Sequence, residues 1–292
     1  MFKRLLRDRN DGYLIKHSDP ILRAIPYIMP KRYDAQVFFS DTLSLNHSEK
    51  VIKDLRKEKH RVIFLHVVLA AMLRTIVDYP KANRFVKGRR VYARKKVSFS
   101  FAIKKSLDLD SPETVLKLDF DRHATLLDVV EQVNAAIEEN RKEDGKNKAD
   151  RAASILNLFP GFLFRAAVWL VNRLDNHRLL PKFLVNASPF HTSVFVTDLG
   201  SIGIQPIYHH IYDFGTTSFF LAFGTKRRNV LGGSQTDGVK KIKQMDIKIA
   251  VDERICDGYY FARVIRRLMN YIENPDKLLT PPETIGVDNE IR

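Results

Sequence analysis

The chain has 292 residues, 45% of them hydrophobic and 28% charged, which is enough apolar material for a packed core and excludes global disorder. Lys and Arg number 49 against 34 Asp and Glu, a formal charge of +15 that favours anionic partners without choosing among nucleic acid, acidic lipid and a phosphorylated cofactor. The one cysteine, Cys256, excludes an intramolecular disulfide and a Cys-rich zinc site, and no metal is expected.

Met1–Asn10 (MFKRLLRDRN) is basic but has neither an apolar core nor a small-residue cleavage site, so it is not a secretory signal. Residues 1–20 read as a loosely tethered lead-in, 21–275 as one α/β domain, and 276–292 as a C-terminal tail. Gln36–Ser44 is a β-rich run, and a helical pattern starts near Ser48. Val62–Leu73 is apolar but short and carries His66, so it reads as a buried core helix, not a membrane span. It ends by Tyr79–Pro80, because proline disfavours helical geometry in the residue before it. Val97, Phe99, Phe101 and Ile103 alternate with smaller residues and predict a strand. A second strand is expected over Thr114–Phe120. Thr125 and Asp128 form a capping-box-like start to a helix whose face holds Leu126, Val130, Val133 and Ile137. A polar stretch, Asn140–Asp150, reads as a solvated loop or helix end. Strands follow near Thr192–Val196, Ser218–Phe223 and Met245–Val251. A last helix from Gly258 carries Phe261, Ile265, Leu268 and Ile272 at helical spacing. No stretch is apolar enough to span a bilayer, and a cytoplasmic protein is the default expectation.

Three segments carry more than secondary structure. The strand Met245–Val251 runs into DERICDG (Asp252–Gly258) and a helix; VFVTDLGSIG (Val194–Gly203) lies some fifty residues upstream; and DYPKANRFVKGRRVY (Asp78–Tyr92) follows the early helix. In this order they resemble chloramphenicol acetyltransferase and the catalytic domain of the dihydrolipoyl acyltransferases of 2-oxoacid dehydrogenase complexes. The resemblance spans about Ile21 to Pro275. It implies a two-layer α/β sandwich with a mixed β-sheet, assembled as a homotrimer with the active site between subunits. There a motif histidine acts as general base on a thiol or hydroxyl that attacks an acyl-coenzyme A thioester. A Ser or Thr hydroxyl of the neighbouring subunit stabilises the oxyanion, and the motif aspartate is a structural anchor paired with an N-terminal arginine.

Carried onto this chain, the resemblance places Thr197 at the oxyanion and Asp257 at the anchor, with Arg32 as the candidate partner of Asp257. The histidine position is held by Glu253. Glutamate is a weaker base than histidine by roughly 3 kcal/mol at their ordinary pKa values, although burial strengthens a carboxylate as a base. Glu253 therefore stands either as a tuned base or as a structural carboxylate paired with Arg254 or a lysine. A substitute base is available in IYHHIYDFG: His209 or His210, oriented by Asp213, unless the two rings are simply packed loop residues.

Two basic groups are candidates for the phosphates of coenzyme A, the only cofactor implied. One lies in the acid-free run Lys81–Lys96, with Arg89 and Arg90; the other is Lys226, Arg227 and Arg228. Each reads equally as a solvated surface. Nucleic acid is disfavoured, since no recognised module or stacking groove is present. Only about twenty residues precede the match, too few for a lipoyl domain, so a lipoyl group is expected from another protein in trans. Residues 152–189, with Phe159, Phe162, Phe164 and Trp169, form an apolar helical insertion. Packing against the parent protein or its oligomer is the favoured reading, ahead of a tunnel cover, a partner helix or a membrane-surface helix. The expected function is acyl transfer between coenzyme A and a thiol, hydroxyl or amine; the alternatives are an inactive trimeric scaffold and an anionic-surface protein.

Overall fold

The computed structural model describes residues 8–104, 113–142, 160–231 and 240–291. Residues 1–7 of the expected lead-in, 143–150 of the expected polar loop, 152–159 of the expected insertion and residue 292 lie outside the described residues. The longest strand, β10 (Lys240–Asp252), organises the rest. Its alternation sends Met245, Ile247, Ile249 and Val251 to one face, each at most 2% exposed, and Asp246, Lys248, Ala250 and Asp252 to the other.

β10 pairs antiparallel with β2 (Gln36–Ser44), β8 (Phe219–Phe223) and, near its start, β9 (Arg227–Leu231). β8 runs parallel to β7 (Val194–Asp198), and β7 runs parallel to β5 (Val97–Lys104). β6 (Glu113–Phe120) closes the edge antiparallel to β5. The order β2-β10-β8-β7-β5-β6 is a mixed sheet.

Four helices cover one face: α2 (Asn46–Lys57), α3 (Phe64–Asp78), α4 (Leu126–Lys142) and α7 (Gly258–Glu273). α3 is apolar nearly all round and is buried from Phe64 to Val77, as a central core helix must be. α4 starts as expected: the Thr125 backbone N–H and hydroxyl donate to Asp128 Oδ2, both at 2.7 Å. The result is a two-layer α/β sandwich.

The second face is covered by a loop. Register places Phe38, Ala250, Phe220 and Phe195 in one row across β2, β10, β8 and β7. The segment from Tyr208 to Tyr212 crosses this row. Tyr208 meets Phe38 edge-on, His209 stacks on Phe220, and Tyr212 meets Phe195 edge-on.

A small antiparallel sheet, β1 (Gly12–Leu14), β4 (Arg90–Arg94) and β3 (Arg84–Lys87), sits apart, followed in the chain after β1 by α1 (Pro20–Ile28). The described part of the lead-in, residues 8–20, is held in place: β1 pairs with β4, and Arg9 is 4% exposed. The basic run is not simply a solvated surface either. Arg84, Lys87 and Arg94 are buried and bonded to Asp288, Asp175 and Thr216.

The insertion does contain helices, α5 (Gly161–Asn176) and α6 (Lys182–Ala187). Of the two surfaces expected to cover α5, the parent core and the oligomer, the parent core does not cover it. Phe162 is 71% and Trp169 65% exposed. Only Asp175 of α5 is fully buried, and its anchoring is ionic.

Candidate active site

β10 ends at Asp252, which is completely buried, and a 3-10 turn (Glu253–Ile255) leads into α7. The expected Arg32–Asp257 pair does not form. Asp257 is exposed and caps α7, its carboxylate accepting from the Tyr260 backbone N–H at 2.9 Å. Arg32, 2% exposed, instead donates from Nε to Asp252 Oδ2 at 3.3 Å. Its other donors reach the carbonyls of Tyr212 at 2.7 Å and Val86 at 2.9 Å. Burial pushes the Arg32 guanidinium down, against the pull of the Asp252 charge.

Arg254 also turns back to Asp252, as a bidentate pair with both bonds at 2.7 Å. Its remaining donor reaches the Met29 carbonyl at 2.9 Å. Arg254 is thus committed, and the expected Glu253–Arg254 ion pair is absent. Glu253 is half-buried and has no hydrogen-bond or ion-pair partner among the described residues.

Thr197, near the end of β7, pairs in register with Ala222 of β8 and is half-buried. Its hydroxyl also has no partner among the described residues. The turn beyond it is held by Asp198, whose carboxylate accepts from the Ser201 backbone at 2.9 Å. Burial pushes the Asp198 carboxyl up. Gly200 is required in this turn: a Cβ there would lie 2.4 Å from the Gly224 carbonyl oxygen.

The histidine pair does not form a base with Asp213. His209 stacks on Phe220 with ring centroids 4.3 Å apart, and its Nε2 is buried without a partner. Burial, then the neighbouring His210, push its pKa down, which favours the neutral ring. His210 is exposed and edge-on to Tyr212. Asp213 accepts from the Arg32 backbone N–H at 3.0 Å and orients neither ring.

Register then fixes what one chain can bring together. Thr197, Ala222 and Lys248 share a row, so Phe220 is the diagonal neighbour of Thr197, about 7–8 Å away between Cα atoms. His209, resting on Phe220, is therefore near Thr197. Glu253 lies five residues beyond Lys248, about 17 Å along the strands and about 10 Å across them from Thr197. Within one chain these two groups are at opposite ends of the sheet.

The basic candidates separate likewise. Lys226 pairs with Glu49, and Arg227 with Asp246 at 2.6 Å. Arg228 is exposed on β9. Arg89 and Arg90, with Lys16 and Arg23, line a cavity of about 750 Å³ beside α1. Asp252, Lys16 and Arg23 were not singled out from the sequence, and Arg254 was expected to meet Glu253. Alternation along β10 does place Asp252 opposite Val251, and that was the one available signal. No group of three metal-ligating side chains occurs among the described residues.

A sequence model of the 2-oxoacid dehydrogenases acyltransferase (catalytic domain) family matches residues 187–280, the stretch that holds Thr197, both histidines and Asp252–Gly258. No curated protein matches the chain. Among solved structures, a probable dihydrolipoamide acetyltransferase from Listeria monocytogenes 4b F2365 is similar with a TM-score of 0.57 and 11% identity, over 88% of this chain and 93% of that one. The cubic core of the pyruvate dehydrogenase multienzyme complex gives 0.55 and 13%, over 90% and 93%. Chloramphenicol acetyltransferase gives 0.50 and 10%, over 86% and 94%. The fold is the acyltransferase fold that the three sequence segments imply.

Proposed function

We propose that the chain is a coenzyme A-dependent acyltransferase whose site is completed between copies of itself, with Glu253 of one copy facing Thr197 of the next. The observation that carries this reading is Glu253 itself: a half-buried carboxylate at the motif position, left without a partner while Asp252 and Arg254 beside it are paired. In this reading Glu253 takes the proton of an attacking thiol, hydroxyl or amine as the new acyl bond forms at the thioester carbonyl. The Thr197 hydroxyl donates to the resulting oxyanion. Collapse breaks the C–S bond, and the coenzyme A sulfur leaves with the proton from Glu253. A carboxylate covered by a partner's surface is a better base than one in water.

The cavity lined by Lys16, Arg23, Arg89 and Arg90 supplies the cationic wall for the coenzyme A phosphates. A homotrimer accords with the separation of Thr197 and Glu253 within one chain, and a lipoyl group carried by another protein is the natural thiol acceptor. The loss of the imidazole favours a second reading, an inactive trimeric scaffold with no coenzyme A affinity.

Calorimetry with coenzyme A, followed by turnover of acetyl-coenzyme A with dihydrolipoamide and small amines, separates the two. We expect Glu253→Gln to lower turnover by about 10²–10⁴-fold, Thr197→Val by about 10²–10³-fold, and His210→Ala to leave it unchanged. No coenzyme A binding and no turnover with any acceptor would leave the scaffold reading.

A further inference from the structure

We propose that α5 and α6 form a docking surface for an anionic phospholipid bilayer, on which the protein lies peripherally. This inference does not use the Thr197–Glu253 site. α5 spans 16 residues and is about 24 Å long. Its inward side is fixed by polar contacts: Asn172 Oδ1 accepts from Lys87 Nζ at 2.8 Å, and Asp175 accepts from Arg9 at 2.6 Å. Phe162, Arg165, Trp169 and Arg173 are all exposed, with Phe162 and Trp169 seven positions apart on one side of the helix. Phe162 and Trp169 are 71% and 65% exposed, and Phe183 of α6 is 69% exposed. A soluble surface rarely carries aromatic side chains so fully in water along one segment.

Charge identifies the occupant. Between Gly161 and Ala187 the chain has four Lys or Arg residues and a single acid, Asp175. That acid is buried and bonded to Arg9, Lys87 and His191. The exposed segment therefore carries cationic, aromatic and aliphatic side chains, Leu163 and Leu170 among them, with its one acid buried, the composition of a helix lying in a lipid headgroup layer. Joining this face to itself about a two-fold axis would set Arg165, Arg173 and Lys182 against their own like charges. No helix among the described residues is long and apolar enough to cross a membrane, so the contact is interfacial.

Trp169 is the only tryptophan, so its fluorescence reports on this helix alone. The full chain is titrated with vesicles of pure phosphatidylcholine and with an equimolar mixture of phosphatidylcholine and phosphatidylglycerol. We expect a blue shift and co-flotation with the mixed vesicles only, reversed by salt. Each basic residue near an anionic leaflet is worth about fivefold in affinity, so the Arg165→Gln/Arg173→Gln double variant should bind about 25-fold more weakly. Its circular dichroism should match the parent, because neither residue contacts the core. The proposal is overturned by an unshifted spectrum with mixed vesicles or by equal binding to both vesicle types. It is also overturned by a lipid-free blue shift that disappears on dilution, which marks self-association, or by an equal shift with soluble polyglutamate, which marks an acidic protein.

Discussion

A mixing experiment distinguishes a site shared between copies from one built within a chain. Thr197 and Glu253 are separated within one chain by about 17 Å along the strands and about 10 Å across them, too far for any single substrate carbonyl and its nucleophile. Glu253→Gln and Thr197→Val each disable every site in their own homo-oligomer. When the two variants are unfolded together and refolded at equal concentrations, subunits assort at random around a closed ring. A site then has an intact Glu253 on one side half the time and an intact Thr197 on the other half the time, so about a quarter of sites are whole. The assay is acetyl-coenzyme A turnover of the refolded mixture against each variant refolded alone. Recovery near a quarter of the parental rate is the expected result. A mixture no more active than the separate variants, with mixed oligomers demonstrated by differential tagging, would refute the shared site and put the base on the same chain as Thr197. His209 would then be the remaining group near it.

Two further predictions concern stability. His66 is fully buried, accepts from the Ile63 backbone N–H at 3.2 Å, and has a pKa pushed down to about 4 by burial. The unfolded ring takes a proton near pH 6.5 and the folded ring does not, so stability falls as the pH drops from about 6.5 to about 4, by about 3 kcal/mol in all. His66→Asn keeps the acceptor and cannot titrate, so urea unfolding across this range should show its pH dependence flattened relative to the parent; parallel curves would refute the assignment. Asp175→Asn leaves Lys87 buried without its carboxylate while Arg9 keeps Asp11, and should cost about 3 kcal/mol in thermal or urea unfolding. Burial pushes the Asp175 carboxyl up, but the His191 hydrogen bond and the Arg9 and Lys87 charges prevail and hold it far below the ordinary range. Its stabilisation is therefore full above about pH 4 and declines as the pH falls further, a decline the Asn variant should lack.

Much of the sheet and the helical layer was legible because alternation and helical spacing are local properties of the chain. The β5, β6, β8 and β10 strands and the α7 helix fall within a few residues of their expected positions. What failed was pairing at long range. Arg84 looked like one more surface cation in a basic run, yet it is 1% exposed and bonded to Asp288, 204 positions away. Lys87 finds Asp175, and Arg32 finds Asp252 rather than Asp257. Nothing in composition or period specifies which carboxylate a buried guanidinium meets. That the parent core leaves α5 uncovered has a different cause. Helical spacing of aromatics shows that a face exists but not whether the parent protein supplies a surface to cover it.

The glutamate at position 253 and the pairing of Arg32 and Arg254 belong to one electrostatic arrangement. In the arrangement the resemblance implies, one arginine meets the motif aspartate, and the histidine position adds no negative charge. Here Asp257 serves as a helix cap, and both Arg32 and Arg254 converge on Asp252 alone. Two guanidiniums on one carboxylate, offset in part by the exposed Asp213, bias the region beside position 253 toward positive charge, where both arginines are 2% exposed. An uncompensated buried charge is costly. A protonating imidazole at 253 would raise that bias, whereas a carboxylate offsets it. A carboxylate at position 253 is thus the residue type this electrostatic setting favours.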